Sequence, residues 1–150
     1  MTKRELFSKL IEEIKDLIAQ DLEREMLLKQ ICKSLHQKIN AYDWVGFYFV
    51  SETEKNTLIV GPYEGKTTEH IKIPFGKGLC GQTASNQSTT LSNDVSSEAN
   101  YIACDINVKS ELVVPLFNTK QELIGQIDID SKTRNTFDSE DDIFLKEICS

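Results

Sequence analysis

Residues 111–130, which read ELVVPLFNTKQELIGQIDID, contain two apolar stretches on either side of a short polar segment. The stretches at 111–117 and 123–130 are rich in branched residues and predict two antiparallel strands that form a hairpin. Successive side chains of a strand point to opposite faces, so Asp128 and Asp130 should share one face while Ile127 and Ile129 share the other. The second strand therefore carries an apolar face and a carboxylate face.

Two amphipathic helices are predicted before this hairpin and one after it. Apolar residues recur at helical spacing over 6–18 and over 28–39, and a charged break at 21–25 separates the two runs. The helix after the hairpin covers 139–149, with Asp138 or Ser139 as its N-cap. Ile143, Phe144 and Ile148 are expected on one side of this last helix.

Further strands are predicted between the helices and the hairpin, at 44–50, 57–60, 71–74 and 89–91. A polar turn at 51–56 joins the first two, a short helical stretch covers 79–85, and a long loop covers 92–109. The order predicts one α+β domain over 1–150, with N-terminal helices at 3–40, the sheet and a pocket at 43–131, and a C-terminal helix at 139–149. Its central antiparallel β-sheet should be flanked by helices on one face, with loops closing a pocket on the other.

The composition limits the class of protein. The apolar share of 39% and the charged share of 27% are ordinary for a soluble globular chain, and no segment approaches the roughly 20 apolar residues of a membrane span. The amphipathic N-terminus does not resemble a secretory signal, so a cytoplasmic location is expected, with no membrane partner. A net charge of -7 without a basic stripe argues against binding to nucleic acid.

Four cysteines, Cys32, Cys80, Cys104 and Cys149, are spread along the chain without short paired spacings. This pattern argues against a disulfide scaffold and a zinc ribbon, and no metal or other cofactor is expected. Cys80 lies in GKGLCG at 76–81, where glycines let the backbone turn sharply and approach a ligand. The alternative for Cys80 and Cys104 is that they act as small buried hydrophobes. That alternative is favoured for Cys32, and Cys149 is interpreted as incidental.

Six short segments follow one another in a characteristic order. They are DWVGFY at 43–48, GPYEGK at 61–66, IPFGKGLCG at 73–81, IACD at 102–105, SELVVP at 110–115 and GQIDID at 125–130. In this order they resemble the GAF-domain family of free methionine-(R)-sulfoxide reductases, over nearly the whole chain. The resemblance implies a GAF-like fold and the thiol-dependent reduction of free L-methionine (R)-sulfoxide to L-methionine, without a cofactor.

The resemblance also implies roles for one thiol and three carboxyl groups. Cys104 would attack the sulfoxide and become a sulfenic acid, which members of the family resolve as a disulfide with a second cysteine. Because Cys80 is the other cysteine within the six segments, we expect an intramolecular disulfide between Cys80 and Cys104, which thioredoxin or another dithiol would open. Glu111, Asp128 and Asp130 would hold and protonate the oxygen or bind the substrate ammonium. Carboxylates that share a small pocket cannot all ionise cheaply, so at least one should have a raised pKa.

One position departs from the family pattern. Members typically carry a recycling cysteine ten positions before the one that matches Cys80, and this chain has His70 there. Cys80 is therefore predicted to replace that cysteine as the resolving partner. A zinc site formed by His70, Cys80 and Cys104 is disfavoured because their spacings match no common zinc pattern. His70 is instead expected at the pocket edge or on the surface.

Several side chains have an ordinary alternative to a functional role. Trp44 and Tyr48 are four apart on one strand and could form an apolar wall for the substrate's methyl group, or simply pack in the core. Glu111, Asp128 and Asp130 could equally face water on half-exposed strands.

A second function, from another class, is a GAF-type module that binds or senses a small ligand without turnover. The two functions differ in their dependence on thiols, because only the enzyme requires Cys104. A homodimer through the N-terminal helices is also compatible with the sequence.

Overall fold

Six strands form one antiparallel sheet in the computed structural model, which describes residues 2–95 and 108–149. The strands are β1 (Trp44–Val50), β2 (Thr57–Glu64), β3 (Lys72–Pro74), β4 (Thr90–Ser92), β5 (Ser110–Phe117) and β6 (Leu123–Ser131). Their order across the sheet is β3-β2-β1-β6-β5-β4. The predicted hairpin of β5 and β6 is confirmed, and β6 lies in the middle of the sheet between β1 and β5.

Strand β2 continues four residues beyond its predicted end at Val60. Gly61 and Pro62 suggest a turn in the sequence, yet the strand runs through them because the pairing of β1 with β2 shifts register between Gly46 and Tyr48. Gly61 lies against Phe49, whose ring would be 2.8 Å from a Cβ at that position. The glycine therefore provides a close approach within a strand rather than a turn.

Three helices cover one face of the sheet: α1 (Lys3–Ala19), α2 (Arg24–Lys38) and α4 (Ser139–Ile148). Their apolar sides pack on residues of β1, β5 and β6, among which Ile127 and Ile129 are fully buried. Leu145 and Phe144 of α4 point into this core, but Ile143 is 64% exposed, so its expected place beside Phe144 is wrong. Adjacent helical residues lie about 100° apart, and Phe144 takes the inward direction.

Asp138 caps α4, as one of the two predicted alternatives. Its carboxylate accepts hydrogen bonds from the backbone N–H groups of Glu140 at 2.9 Å and Asp141 at 3.4 Å, and the Asp141 side chain accepts in return from the Asp138 N–H. Asp141 is itself buried, where it accepts a hydrogen bond of 2.7 Å from Tyr42 and pairs with Lys3. This network ties the start of α4 to α1 and to the entry of β1.

The opposite face of the sheet is covered by α3 (Gly78–Asn86) and by the segments around it. Helix α3 packs against β5 and β6 and touches the two edge strands β3 and β4. None of the described helices has the length and apolar character needed to cross a membrane. The two faces of the sheet thus differ, since strand residues on the face under α3 include the buried carboxyl groups of Glu111, Asp128 and Asp130.

Candidate functional site

A row of three carboxyl groups lies beneath α3 on the inner strands. Asp128 and Asp130 follow one another on the same face of β6, and Glu111 of β5 is paired directly opposite Asp130. All three are buried, with exposures of 1% for each aspartate and 4% for Glu111. The predicted alternation along β6 is confirmed, and the alternative that these groups face water is wrong.

The glycine-rich segment before α3 brings Cys80 to this row. Gly76 and Gly78 adopt positive φ angles of 86° and 64°, which side chains strongly disfavour. A Cβ at Gly81 would lie 2.5 Å from the carbonyl oxygen of Pro74, so only glycine permits the close contact between the turn and the helix. The sequence GKGLCG therefore sets the position of Cys80 through the backbone.

Cys80 is buried and contacts both carboxyl-bearing strands. Its Sγ donates to Glu111 Oε2 at 3.8 Å, and its carbonyl oxygen accepts a hydrogen bond of 2.9 Å from Gln126 Nε2 on β6. Ligand atoms of Cys80, Glu111 and Asp128 all lie within 4.8 Å of one another. A thiol and two carboxyl groups thus share one small buried volume.

Burial raises the pKa of Asp128 above its usual value. Desolvation is the main cause, because the charged form loses the solvation of water. Glu111, Cys80 and Asp130 oppose this shift in part, since each can share a proton with the Asp128 carboxyl group. Asp128 is therefore a group that can carry a proton at a higher pH than a carboxyl group in water.

A cavity of about 10 Å³ lies at the centre of these groups. Among the described residues, those that line it are Tyr48, His70, Ile73, Lys77, Gly78, Leu79, Cys80, Glu111 and Asp128. Such a volume holds about one water-sized particle. An amino-acid ligand would therefore require the covering segments to move apart.

His70 lies on the cavity lining, half-buried, on the segment that leads into β3. Its carbonyl oxygen accepts a hydrogen bond of 3.0 Å from the Tyr48 hydroxyl, and its N–H donates to Thr68 Oγ1 at 3.0 Å. The backbone around His70 is thereby anchored to β1. Its placement agrees with the predicted pocket edge.

Trp44 and Tyr48 of β1 form an aromatic layer on the same face. Trp44 stacks on Tyr48 at 6.3 Å and on Tyr63 of β2 at 5.1 Å between ring centroids, and its Nε1 donates to the Lys66 carbonyl oxygen at 3.0 Å. The indole lies over Gly46, where a Cβ would be 2.3 Å from its ring. Tyr48 lines the cavity, whereas Trp44 packs beside it.

Sequence reasoning missed Gln126, Gly46 and Tyr63. Gln126 shares the face of the two aspartates by the same alternation, so its position could have been read from the spacing. Gly46 carries the signal of a glycine inside a strand of bulky residues, between Val45 and Phe47, which indicates a close approach. No pattern in the chain indicated the contact of Tyr63 with Trp44.

The two other described cysteines do not share the environment that the structure gives to Cys80. The predicted nucleophile Cys104 lies outside the described residues. Cys32 is fully buried in the helix-covered core, as expected, where burial raises its pKa to about 12. Cys149 is half-buried at the end of α4, and burial raises its pKa to about 12 as well. Among the three described cysteines, Cys80 is the one that lies next to the carboxyl groups.

Comparison with known proteins gives relatives that share one domain family and one description. The sequence model of the GAF domain matches residues 21–150. A free methionine-R-sulfoxide reductase of Saccharomyces cerevisiae is 43% identical over 77% of this chain, which spans 62% of the yeast protein. A protein of the same description from Escherichia coli is 32% identical over 99% of this chain and 87% of its own length.

A solved structure agrees with these sequences. The free methionine-R-sulfoxide reductase of Neisseria meningitidis, determined in complex with its substrate, superposes with a TM-score of 0.93. It is 32% identical, and the match covers 99% of this chain and 87% of that protein.

Proposed function

Because the chain belongs to the GAF-domain family of free methionine-(R)-sulfoxide reductases, we propose that it reduces free L-methionine (R)-sulfoxide to L-methionine. The observation that carries this proposal is the buried cluster of Cys80, Glu111 and Asp128 on the face where the resemblance expects the pocket. The chain spans about three fifths of the yeast relative and most of the Escherichia coli relative. The proposal therefore depends on the residues that this chain itself contains.

The first step transfers the sulfoxide oxygen to a thiol. In this proposal the Cys104 sulfur attacks the substrate sulfur, the oxygen passes to Cys104 as a sulfenic acid, and methionine leaves as the thioether. The substrate sulfur is reduced by two electrons and the cysteine is oxidised by two. An acid that protonates the oxygen makes the sulfur more electrophilic.

Asp128 is the acid that we assign to this proton transfer. Its raised pKa keeps a proton available nearer neutral pH than an ordinary aspartate would. Glu111 and Asp130 flank it on the same face and are the further carboxyl groups available to the oxygen or to the substrate ammonium. The aromatic layer of Trp44 and Tyr48 offers an apolar contact for the thioether methyl.

Recycling is assigned to Cys80. Its thiol would attack the Cys104 sulfenic acid, forming a disulfide and releasing one water molecule, and thioredoxin or another dithiol would reduce that bond. The bond requires Cα atoms about 4.4–6.8 Å apart, which sets a geometric condition on the segment that carries Cys104. The position of Cys80 beside Glu111 supports this role because the thiol already lies in the pocket.

We also include a homodimer through the N-terminal helices in the proposal. Ile18 of α1 is 54% exposed and Met26 of α2 is 52% exposed, so both helices keep apolar side chains at the surface. Light scattering of the purified chain tests this part separately from the activity.

The test of the activity is methionine release from racemic free methionine sulfoxide, resolved by epimer, with dithiothreitol and then with thioredoxin. Consumption of the R epimer alone supports the proposal. Substrate binding without methionine release under either reductant would contradict it and would favour a sensor. Retained turnover in Cys104→Ser would overturn the assigned nucleophile.

The role of Cys80 has its own readout. Cys80→Ser should still release about one methionine per enzyme in a single turnover, since attack precedes resolution, while the steady-state rate with thioredoxin falls. Cys32→Ser is the matched control, because Cys32 lies in the helix-covered core on the opposite side of the sheet. Equal steady-state loss in both variants, or no Cys80–Cys104 peptide in the trapped oxidised protein, would remove Cys80 from the cycle.

A further inference from the structure

We propose that Cys80, Glu111 and Asp128 form an inhibitory zinc site within the pocket, in which Zn²⁺ excludes the substrate and holds the Cys80 thiolate. This inference rests on the proposed function for its inhibitory consequence, but not for the binding itself. The spacing along the chain argued against a zinc site formed by His70, Cys80 and Cys104. The fold gathers a different set, with one residue each from α3, β5 and β6.

The geometry of the three residues fits a tetrahedral ion. With Zn–S of about 2.3 Å and Zn–O of about 2.1 Å, sulfur and oxygen ligands lie about 3.6 Å apart. Cys80 Sγ and Glu111 Oε2 are 3.8 Å apart, and an Asp128 oxygen lies within 4.8 Å of both ligands. Small rotations of the side chains would therefore bring three ligands around one ion.

A second observation comes from Asp128 itself. The side chain is 1% exposed and lines the cavity, and among residues 2–95 and 108–149 neither of its oxygens accepts a hydrogen bond from an N–H or hydroxyl group. The groups beside it are the Cys80 thiol and the carboxyl groups of Glu111 and Asp130, which can only share a proton with it. A buried carboxyl group without a donor is an unfavourable arrangement that a cation relieves. A cation would thus compensate the charge of Asp128, which its acidic neighbours Glu111, Asp130 and the Cys80 thiol do not.

The size of the cavity selects an ion over a larger ligand. A volume of about 10 Å³ accepts a particle the size of one water molecule, so the closed cavity can hold Zn²⁺ but not an amino acid. The substrate requires those segments to separate. A metal-bound pocket is therefore a closed one, and substrate and ion should compete.

The ligand chemistry favours zinc among common divalent ions. Mg²⁺ and Ca²⁺ prefer oxygen ligands, whereas a thiolate with two carboxylates suits borderline Zn²⁺. Cys80 must lose its proton to the solvent to bind the ion, and it is then unable to attack a sulfenic acid. Zinc would therefore block both substrate entry and recycling, and a chelator would restore both.

Binding is tested without any activity measurement. Co²⁺ replaces Zn²⁺ in such sites, and a thiolate ligand adds a charge-transfer absorption in the near ultraviolet. We expect this absorption in the reduced wild-type protein, its loss on addition of Zn²⁺, and its absence in Cys80→Ser. Asp128→Asn should raise the Zn²⁺ dissociation constant, measured by calorimetry, by about 100-fold or more. Cys32→Ser, the matched control, should bind Co²⁺ like the wild type.

The same experiment can overturn the site. An unchanged cobalt absorption in Cys80→Ser, or Zn²⁺ affinity unchanged in Asp128→Asn, would refute it whatever the enzyme does. If binding is confirmed, Zn²⁺ should raise the KM for methionine sulfoxide reversibly, with activity restored by EDTA. Inhibition that the substrate does not relieve would refute competition in the pocket, and a protein that binds zinc but never releases methionine would refute the proposed function instead.

Discussion

Replacement of Gly46 by alanine tests whether the aromatic layer beneath the pocket depends on a missing side chain. A Cβ at this position would lie 2.3 Å and 2.5 Å from two ring carbons of Trp44 and 2.7 Å from the Cβ of Tyr63. Contacts below 3.0 Å force something to move. The indole is the group that can move, but only by leaving its stacking partner Tyr63 and the carbonyl oxygen of Lys66.

The magnitude follows from these contacts. An extra methyl group in a packed core costs about 1–3 kcal/mol, and the lost Nε1 hydrogen bond costs about 0.5–1.5 kcal/mol. Alanine regains about 0.5–1 kcal/mol over glycine in a strand because it has less backbone freedom to lose. These terms sum to about 0.5–4 kcal/mol, so we expect Gly46→Ala to lower the free energy of unfolding by about 2 kcal/mol.

The assay is urea unfolding of a double-mutant cycle with Trp44→Leu. Removal of the indole should relieve its part of the clash, which gives a coupling energy of about 1–2 kcal/mol, while the contact with the Tyr63 Cβ persists. Gly76→Ala is the comparison, since its Cβ would meet only Ser85 Oγ at 3.8 Å and only backbone strain of about 1–2 kcal/mol applies. Strict additivity in the cycle, or a Gly46→Ala loss below about 0.5 kcal/mol, would refute this account.

Three further predictions concern stability and thiol reactivity. Asp138→Ala should lower the free energy of unfolding by about 1 kcal/mol at pH 7, through loss of the cap. Partial burial acts to raise the pKa of Asp138, but the charge of Lys3 and the backbone hydrogen bonds outweigh it and hold this pKa below its usual value. The stability difference between wild type and Asp138→Ala should therefore shrink in an acid titration as the pH falls through that lowered pKa. Tyr42→Phe should cost about 1.5–3 kcal/mol in urea unfolding because it removes a donor from the buried carboxylate of Asp141, and a neutral result would mean that water replaces the hydroxyl. Burial raises the pKa of Cys32 to about 12, so iodoacetamide at pH 8 should leave Cys32 unmodified in the native protein and modify it in urea, as peptide mass spectrometry will show.

Local patterns were sufficient for most of the fold. The hairpin of β5 and β6 combines branched residues with alternation, and both signals agree, so the strands are found almost to the residue. The extension of β2 could not be predicted because Gly61 and Pro62 look like a turn, and only the neighbouring strand with Phe49 makes the extended path favourable. The wrong side for Ile143 has a simpler cause: Phe144 and Leu145 set the inward direction of α4, and Ile143 lies about 200° around the helix from Leu145.

The sequence predicts which face of the strand carries the carboxyl groups, but it does not predict that this face is buried. Alternation placed Asp128 and Asp130 on one face, but the same pattern fits a strand that faces water. What decides between the two is α3 packing over β5 and β6, which is a long-range contact. The approach of Cys80 to Glu111 depends on that contact as well, and no spacing along the chain encodes it.

The buried carboxyl row has a consequence for how this protein responds to selection. Carboxyl groups that are held away from water lose solvation and weaken the native state, so amide or apolar replacements at Asp128, which is 1% exposed, should raise the melting temperature. The same replacements would remove the proton that the reaction uses. A library screened for heat resistance alone should accumulate changes on this face of β6 and lose turnover together with them, so that the trade-off between stability and activity maps the pocket without any substrate.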